Sequence, residues 1–122
     1  TVMKQVNVML AGIVLAISGT VHAADLKAGK IAFETKGCVA CHGADGVSTL
    51  ASMYPILAGQ HDDYLKHALM AYVRGARNAP PSANIRKNPI MAVQVQNLTP
   101  ADIDNISAWL ATLPSVLSHR RQ

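Results

Sequence analysis

The chain has only two cysteines, and both stand in the pentapeptide Cys38-Val39-Ala40-Cys41-His42, with a histidine directly after the second. Two thiols separated by two residues can each add to one vinyl group of a haem, and the resulting thioether bonds tie the cofactor to the chain. A neutral His42 imidazole can then ligate the iron, and the tether removes most of the entropic cost of bringing ligand and metal together. Other uses of such a pair fit less well. A thioredoxin-like redox pair expects a βαβ pattern that this helix-patterned chain does not offer, and a zinc site needs further ligands, whereas no third cysteine exists. A disulfide across two residues would close a loop too small to contribute much. The motif therefore predicts one haem c, covalently bound through Cys38 and Cys41, with His42 on its iron.

A second axial position has to be filled or left open. Met91 stands after Pro89 in a long stretch from Arg77 to Leu98 that is rich in Pro, Asn and Ser, and that the sequence presents as a loop. A loop of this length in a compact domain usually has a function, and a flexible thioether on a segment stiffened by proline can reach across the ring. Met53 is too near His42 along the chain to reach the far side easily, Met70 lies off the apolar stripe of its helix, and Met3 and Met9 precede the domain. Met91 is the expected ligand. His61 or His67, which would make a bis-histidine site, and an open iron are the alternatives.

The positioning elements follow from periodicity and caps. A first helix is expected from about Asp25 to Thr35, with Leu26, Gly29 or Lys30, and Phe33 on one face and a left-handed stop at Gly37. A middle helix begins at the acids Asp62 and Asp63 and runs to about Arg74-Gly75, with Leu65, Ala68, Leu69, Tyr72 and Ala76 at helical spacing. A last helix has Thr99 as N-cap, Pro100 at its first position, Asp102 in its first turn and Pro114 beyond its end; Ile103, Ile106, Leu110 and Leu113 form its stripe, with Trp109 at the border. Phe33, Trp109, Tyr54, Tyr64 and Tyr72 are all the aromatic residues of the chain. So small a domain with so few large side chains has a thin core, which a buried porphyrin would fill.

Before Asp25 the only charge is Lys4; the stretch from Val8 to Ile17 is nearly all apolar, Gly19 and Thr20 break it, and Val21 and Ala23 put small residues where a signal peptidase reads. This predicts a signal peptide over residues 1–23, export to the periplasm and a mature domain over residues 24–122. The apolar run is short for a bilayer span, and no cysteine near the cleavage point offers a lipid anchor, so no stable membrane insertion is expected after cleavage. The formal net charge of +4 is a mild surplus that suits docking to an acidic patch on a redox protein. It makes no case for nucleic acid, since the only dense basic run is the terminal His119-Arg120-Arg121.

Taken in order, helix, CVACH, a proline-containing loop, a helix, a methionine segment and a final helix with an aromatic, the chain resembles class I cytochrome c. The stretch Pro55-Ile56-Leu57-Ala58-Gly59-Gln60, with Tyr64-Leu65, Gly75 and Arg77 after it, is similar to the small bacterial monohaem cytochromes related to the halves of periplasmic dihaem cytochromes. The resemblance implies an all-α fold of three main helices wrapped around a covalent haem. It also implies that the Pro55 carbonyl accepts a hydrogen bond from His42, and that the first and last helices cross at Gly29, Phe33 and Trp109. Where the family often has two adjacent methionines, this chain has Ile90-Met91. The implied function is single-haem electron transfer with His/Met ligation, without enzymatic activity, by a monomer that meets redox partners transiently. The alternatives are a haem subunit of a periplasmic dehydrogenase, and an open-site haem enzyme or gas sensor.

Overall fold

The structure is a computed structural model that describes residues 22–116; the expected leader up to Val21 and the basic terminal run fall outside the described residues. Five α-helices carry the fold: α1 (Leu26–Thr35), α2 (Val39–His42), α3 (Asp62–Ala76), α4 (Pro89–Gln94) and α5 (Pro100–Thr112). Two 3-10 turns, Pro81–Ala83 and Val95–Asn97, flank α4, and no strand occurs among the described residues. α1, α3 and α5 are the long ones, as the sequence predicts.

Capping fixes the ends of α1 and α5 and ties them together. The Asp25 carboxylate accepts from the Ala28 N–H at 2.9 Å, while the Asp25 N–H donates to Asn105 Oδ1 on α5 at 2.8 Å. Thr99 and Asp102 form a reciprocal capping box, with Thr99 Oγ1 accepting from Asp102 N at 3.1 Å and Asp102 Oδ2 accepting from Thr99 N at 2.8 Å. Lys36, just past α1, reaches Asp102 at 2.7 Å and the Asn97 carbonyl at 3.0 Å. Burial alone would raise the Asp102 carboxyl, but the hydrogen bonds from Lys36 and Thr99 outweigh it and hold the group below its ordinary value.

At the α1/α5 crossing the helix backbones touch. A side chain on Gly29 would run into the Asn105 carbonyl, so only glycine permits this approach. Phe33, 1% exposed, packs on Trp109 with ring centroids 5.2 Å apart and planes tilted by 51°. With Ala32, Leu65, Ile106 and Leu110 they make the core.

Three sequence expectations need correction. Leu26 is 45% exposed, because the close approach centred on Gly29 spends that face on Gly29, Ala32 and Phe33. Leu113 is only half-buried, lying one residue past the helix, while Trp109 is buried at the edge of the α5 stripe, as expected. The stretch from Arg77 to Leu98 is not a plain loop. Asn88 caps α4 by accepting from the N–H groups of Ile90 and Met91 at 3.0 Å each, and Pro89 supplies a preset first position. That is the Thr-Pro signature of α5 repeated with asparagine, and it was readable in the sequence.

Candidate functional site

α2 is a single helical turn, and its hydrogen bonds explain the spacing of the motif. The N–H groups of Cys41 and His42 both point back to the Cys38 carbonyl, at 3.4 and 3.0 Å. Residues three and four apart share one helix face, so Cys38, Cys41 and His42 all present to one cavity. Burial pushes the Cys38 thiol above its ordinary value. His42 is 7% exposed.

The loop after the motif delivers the partner of His42. Gly43 adopts φ +78°, and Asp45 gathers the N–H groups of Val47 and Ser48 and the Ser48 hydroxyl at 2.7 to 2.8 Å. Those hydrogen bonds, from Ser48 first, hold the Asp45 carboxyl at about 2. Further along, Leu57 and Ala58 donate to the Gly46 carbonyl. The Pro55 carbonyl is thereby brought 2.9 Å from His42 Nδ1. A carbonyl can only accept, so Nδ1 carries the proton and donates, which leaves the lone pair on Nε2 for a metal. The Tyr54 ring stands edge-on to the imidazole at 6.3 Å between centroids.

The cavity encloses about 1240 Å³ free of protein atoms, counting its open mouth. Phe33, Leu65, Ile106 and Leu110 belong both to the core and to its wall. Among the methionines, Met91 and Met53 line it and Met70 does not; His61 and His67, the bis-histidine candidates, are exposed on α3 or at its cap and are not in the wall either. Met53 is 73% exposed and sits two residues before Pro55, on the loop that serves His42. Met91 is half-buried on α4. The C-terminal end of that helix closes on the motif, with the Gln94 side chain against Gly37, where a Cβ would crowd it.

Sequence reasoning missed Arg86. It lines the cavity with its guanidinium 5.5 Å from the Tyr64 ring centroid and 5.7 Å from that of Tyr72, and donates to the Tyr64 hydroxyl at 3.3 Å. The hydroxyl contact to Tyr64 is the main influence that raises the guanidinium above its ordinary value. No local motif announces such a residue, since the two rings belong to α3 and the cation to the segment before α4.

A family model for cytochrome c matches residues 26–114. The chain belongs to the cytochrome c family. This cytochrome is 32% identical over 111 residues to cytochrome c-553 of Helicobacter pylori, a match that takes in 91% of this chain and 99% of that protein. It is 42% identical over 65 residues to the thiosulfate dehydrogenase electron acceptor of Thiomonas intermedia, covering 53% of this chain and 30% of that one. The crystal structure of reduced recombinant cytochrome c4 from Pseudomonas stutzeri superposes with a TM-score of 0.62 at 31% identity, over 75% of this chain and 47% of that chain. The chain thus spans half or less of the acceptor and of cytochrome c4, and nearly all of cytochrome c-553. These relatives bear the names of electron carriers.

The residues present fit a haem c: two thiols and a buried imidazole with its Nδ1 proton committed, on one helical face, opening into a cavity walled by core side chains. The chain is an electron-transfer haem protein with haem c as its covalent cofactor. The haem supplies a one-electron iron couple. Cys38 and Cys41 would hold it, the α2 turn and the Pro55 carbonyl orient His42, and the largely apolar wall would limit the access of water, and so the solvent rearrangement when charge changes.

Proposed function

We propose that this cytochrome is a periplasmic single-haem electron carrier in which His42 and Met91 are the axial ligands and residues 1–23 are a cleaved export signal. The observation that carries the reading is the presentation of His42 and Met91 to one cavity from two separately stabilised elements, α2 with its Pro55 brace and α4 with its Asn88 cap. Two ligands on fixed backbone change little in geometry between oxidation states, which suits a carrier, and a thioether raises the potential. Among the described residues no helix is long and apolar enough to cross a membrane. The ferric protein should show the weak red charge-transfer band of thioether sulfur on iron, and the ferrous protein should bind carbon monoxide slowly. Rapid binding at neutral pH would put an open-site enzyme or sensor in place of the carrier. Recovery from the periplasmic fraction with Ala24 as first residue would support the export reading, and retention of residues 1–23 would defeat it.

A second reading draws on the Thiomonas relative, whose name makes it the acceptor for a thiosulfate dehydrogenase. In that reading this cytochrome takes electrons from a dehydrogenase, in transit or as its haem subunit. Stopped-flow reduction by thiosulfate dehydrogenase with thiosulfate would show it, and reduction no faster than by free thiosulfate would discard it.

A further inference from the structure

The brace on His42 ends on an exposed residue. His42 itself is 7% exposed, but the Pro55 carbonyl that accepts from its Nδ1 at 2.9 Å belongs to a loop, and Pro55 is exposed. Proline has no N–H with which to anchor that stretch of backbone. Its neighbours do so instead: the Tyr54 N–H donates to the Ala51 carbonyl at 3.0 Å, the Leu57 N–H to the Gly46 carbonyl at 2.8 Å, and the Gln60 side chain to the Ile56 carbonyl. These bonds set the path of the turn; keeping water from the bond between His42 and Pro55 is a separate task. A hydrogen bond open to solvent competes with water for both of its partners, and one closed off in a less polar setting is stronger. The side chain in place for this is Tyr54. It directly precedes Pro55, lines the cavity and is half-buried, and its ring stands edge-on to the imidazole with 6.3 Å between centroids and 70° between planes. Among the described residues its hydroxyl forms no hydrogen bond, so what Tyr54 brings to His42 is the ring.

We propose that Tyr54 is a positioning residue for His42: its ring closes the hydrogen bond from Nδ1 to the Pro55 carbonyl against water and so keeps Nε2 aimed at the iron. A closed bond stops the imidazole from turning about its Cβ–Cγ bond, and it leaves more electron density on the ring, which favours ferric iron. The proposal rests on His42 as an iron ligand and is independent of Met91 as the sixth.

The test is the exchange of the His42 Nδ1 proton with water in the complete ferrous holoprotein, followed by NMR. In Tyr54→Leu, which keeps an apolar side chain without a ring, this exchange should be about tenfold faster than in the unmutated protein, while the amides of α1 and α5 keep their protection. At fixed ambient potential the ratio of ferrous to ferric protein should rise in the same variant by up to about threefold, because a weaker hydrogen bond leaves less electron density on the imidazole. Tyr54→Phe should match the unmutated protein in both readouts. Unchanged exchange in Tyr54→Leu would make Tyr54 a packing residue of its loop, and Tyr54→Phe behaving like Tyr54→Leu would move the role from the ring to the hydroxyl; either result overturns the proposal. If Tyr54→Leu does not mature, Tyr54→Met takes its place, and exchange in the unmutated protein as fast as in free histidine overturns the proposal without any variant. The shifts of the carbon-bound His42 ring protons, read in the same spectra, report ligation separately. Without the displacement that the haem ring current gives a ligand beneath the iron, the assignment of His42 would fall; with it, the exchange rates judge Tyr54 alone.

Discussion

Where α1 crosses α5, protein closes on protein: Gly29 brings the backbones together, Phe33 and Trp109 fill the angle, and Lys36 ties the ends through Asp102. Around α3 and the segment from Arg77 to Leu98 the chain closes on a cavity, and Tyr64, Ile90 and Arg86 stay exposed while Met91 and Tyr72 are half-buried. The first region can be stable by its own contacts. The second is shaped around the cavity whose residues fit a haem c, so its stability is expected to depend on haem attachment. A carrier gains from that division, because the crossing anchors a scaffold whose other half is shaped by the group it serves.

The largest expected effect comes from removing the tether. Cys38→Ala combined with Cys41→Ala should abolish the haem signal that otherwise stays with the polypeptide in denaturing electrophoresis. The chain should also lose its cooperative thermal transition, as small metal domains do without their metal. A sharp transition with near-native helicity in that variant would mean that the α1/α5 crossing alone organises the whole chain.

Next is the crossing itself. Trp109→Ala empties a well-packed site and should cost about 3 to 5 kcal/mol in denaturant unfolding of the holoprotein. Gly29→Val should do comparable damage by forcing α1 off the Asn105 carbonyl. If either variant lowered stability no more than an exposed substitution such as Val93→Ala, the contrast between the two regions would fail.

On the cavity side single changes should alter function more than stability. Met91→Ala should remove the red band, lower the potential and open the iron to carbon monoxide, with only a small shift in the unfolding midpoint, whereas Met70→Ala should leave the band intact. Persistence of the band in Met91→Ala and its loss in Met53→Ala would move the ligand to the loop after the haem motif. Asn88→Ala removes the cap of α4 and should cost about 1 kcal/mol, seen as faster hydrogen exchange at Ile90 to Val95 while α1 and α5 keep their protection.

The smallest effect concerns acid. The carboxyls of Asp45 and Asp102 both titrate lower in the folded protein than in the unfolded chain. A depressed carboxyl contributes stability that is complete above its unfolded value and is lost as pH falls through the folded one. Stability should therefore decline as pH drops below the ordinary aspartate range toward about 2, the value at which Asp45 is held. Asp45→Asn should flatten the decline more than Asp102→Asn, since the hydrogen bonds from Ser48 and Val47 hold Asp45 the lower of the two while burial opposes the lowering of Asp102. Greater flattening in Asp102→Asn would place the acid sensitivity at the α1/α5 crossing instead of in the loop after the motif.

The sequence by itself determined everything set by short spacing. Five consecutive residues carry both thiols and the imidazole because one helical turn is enough to put positions i, i+3 and i+4 on one face. The caps at Asp25 and Thr99 act within three residues, and the stripes of α3 and α5 follow from helical period, so the three long helices could be read directly. Asn88-Pro89 is an equally local start signal, set in a stretch whose composition reads as a loop. Other features depend on distance in the chain. That Leu26 stays outside, that Pro55 reaches His42, and that Arg86 lies over two rings of α3 were decided only by how the chain packs. The resemblance to class I cytochrome c anticipated the Pro55 contact, but no residue near Arg86 signals its placement. Such contacts join residues that become neighbours only when the backbone closes around a shared cavity, and periodicity along one strand of sequence carries no information about which faces will meet there.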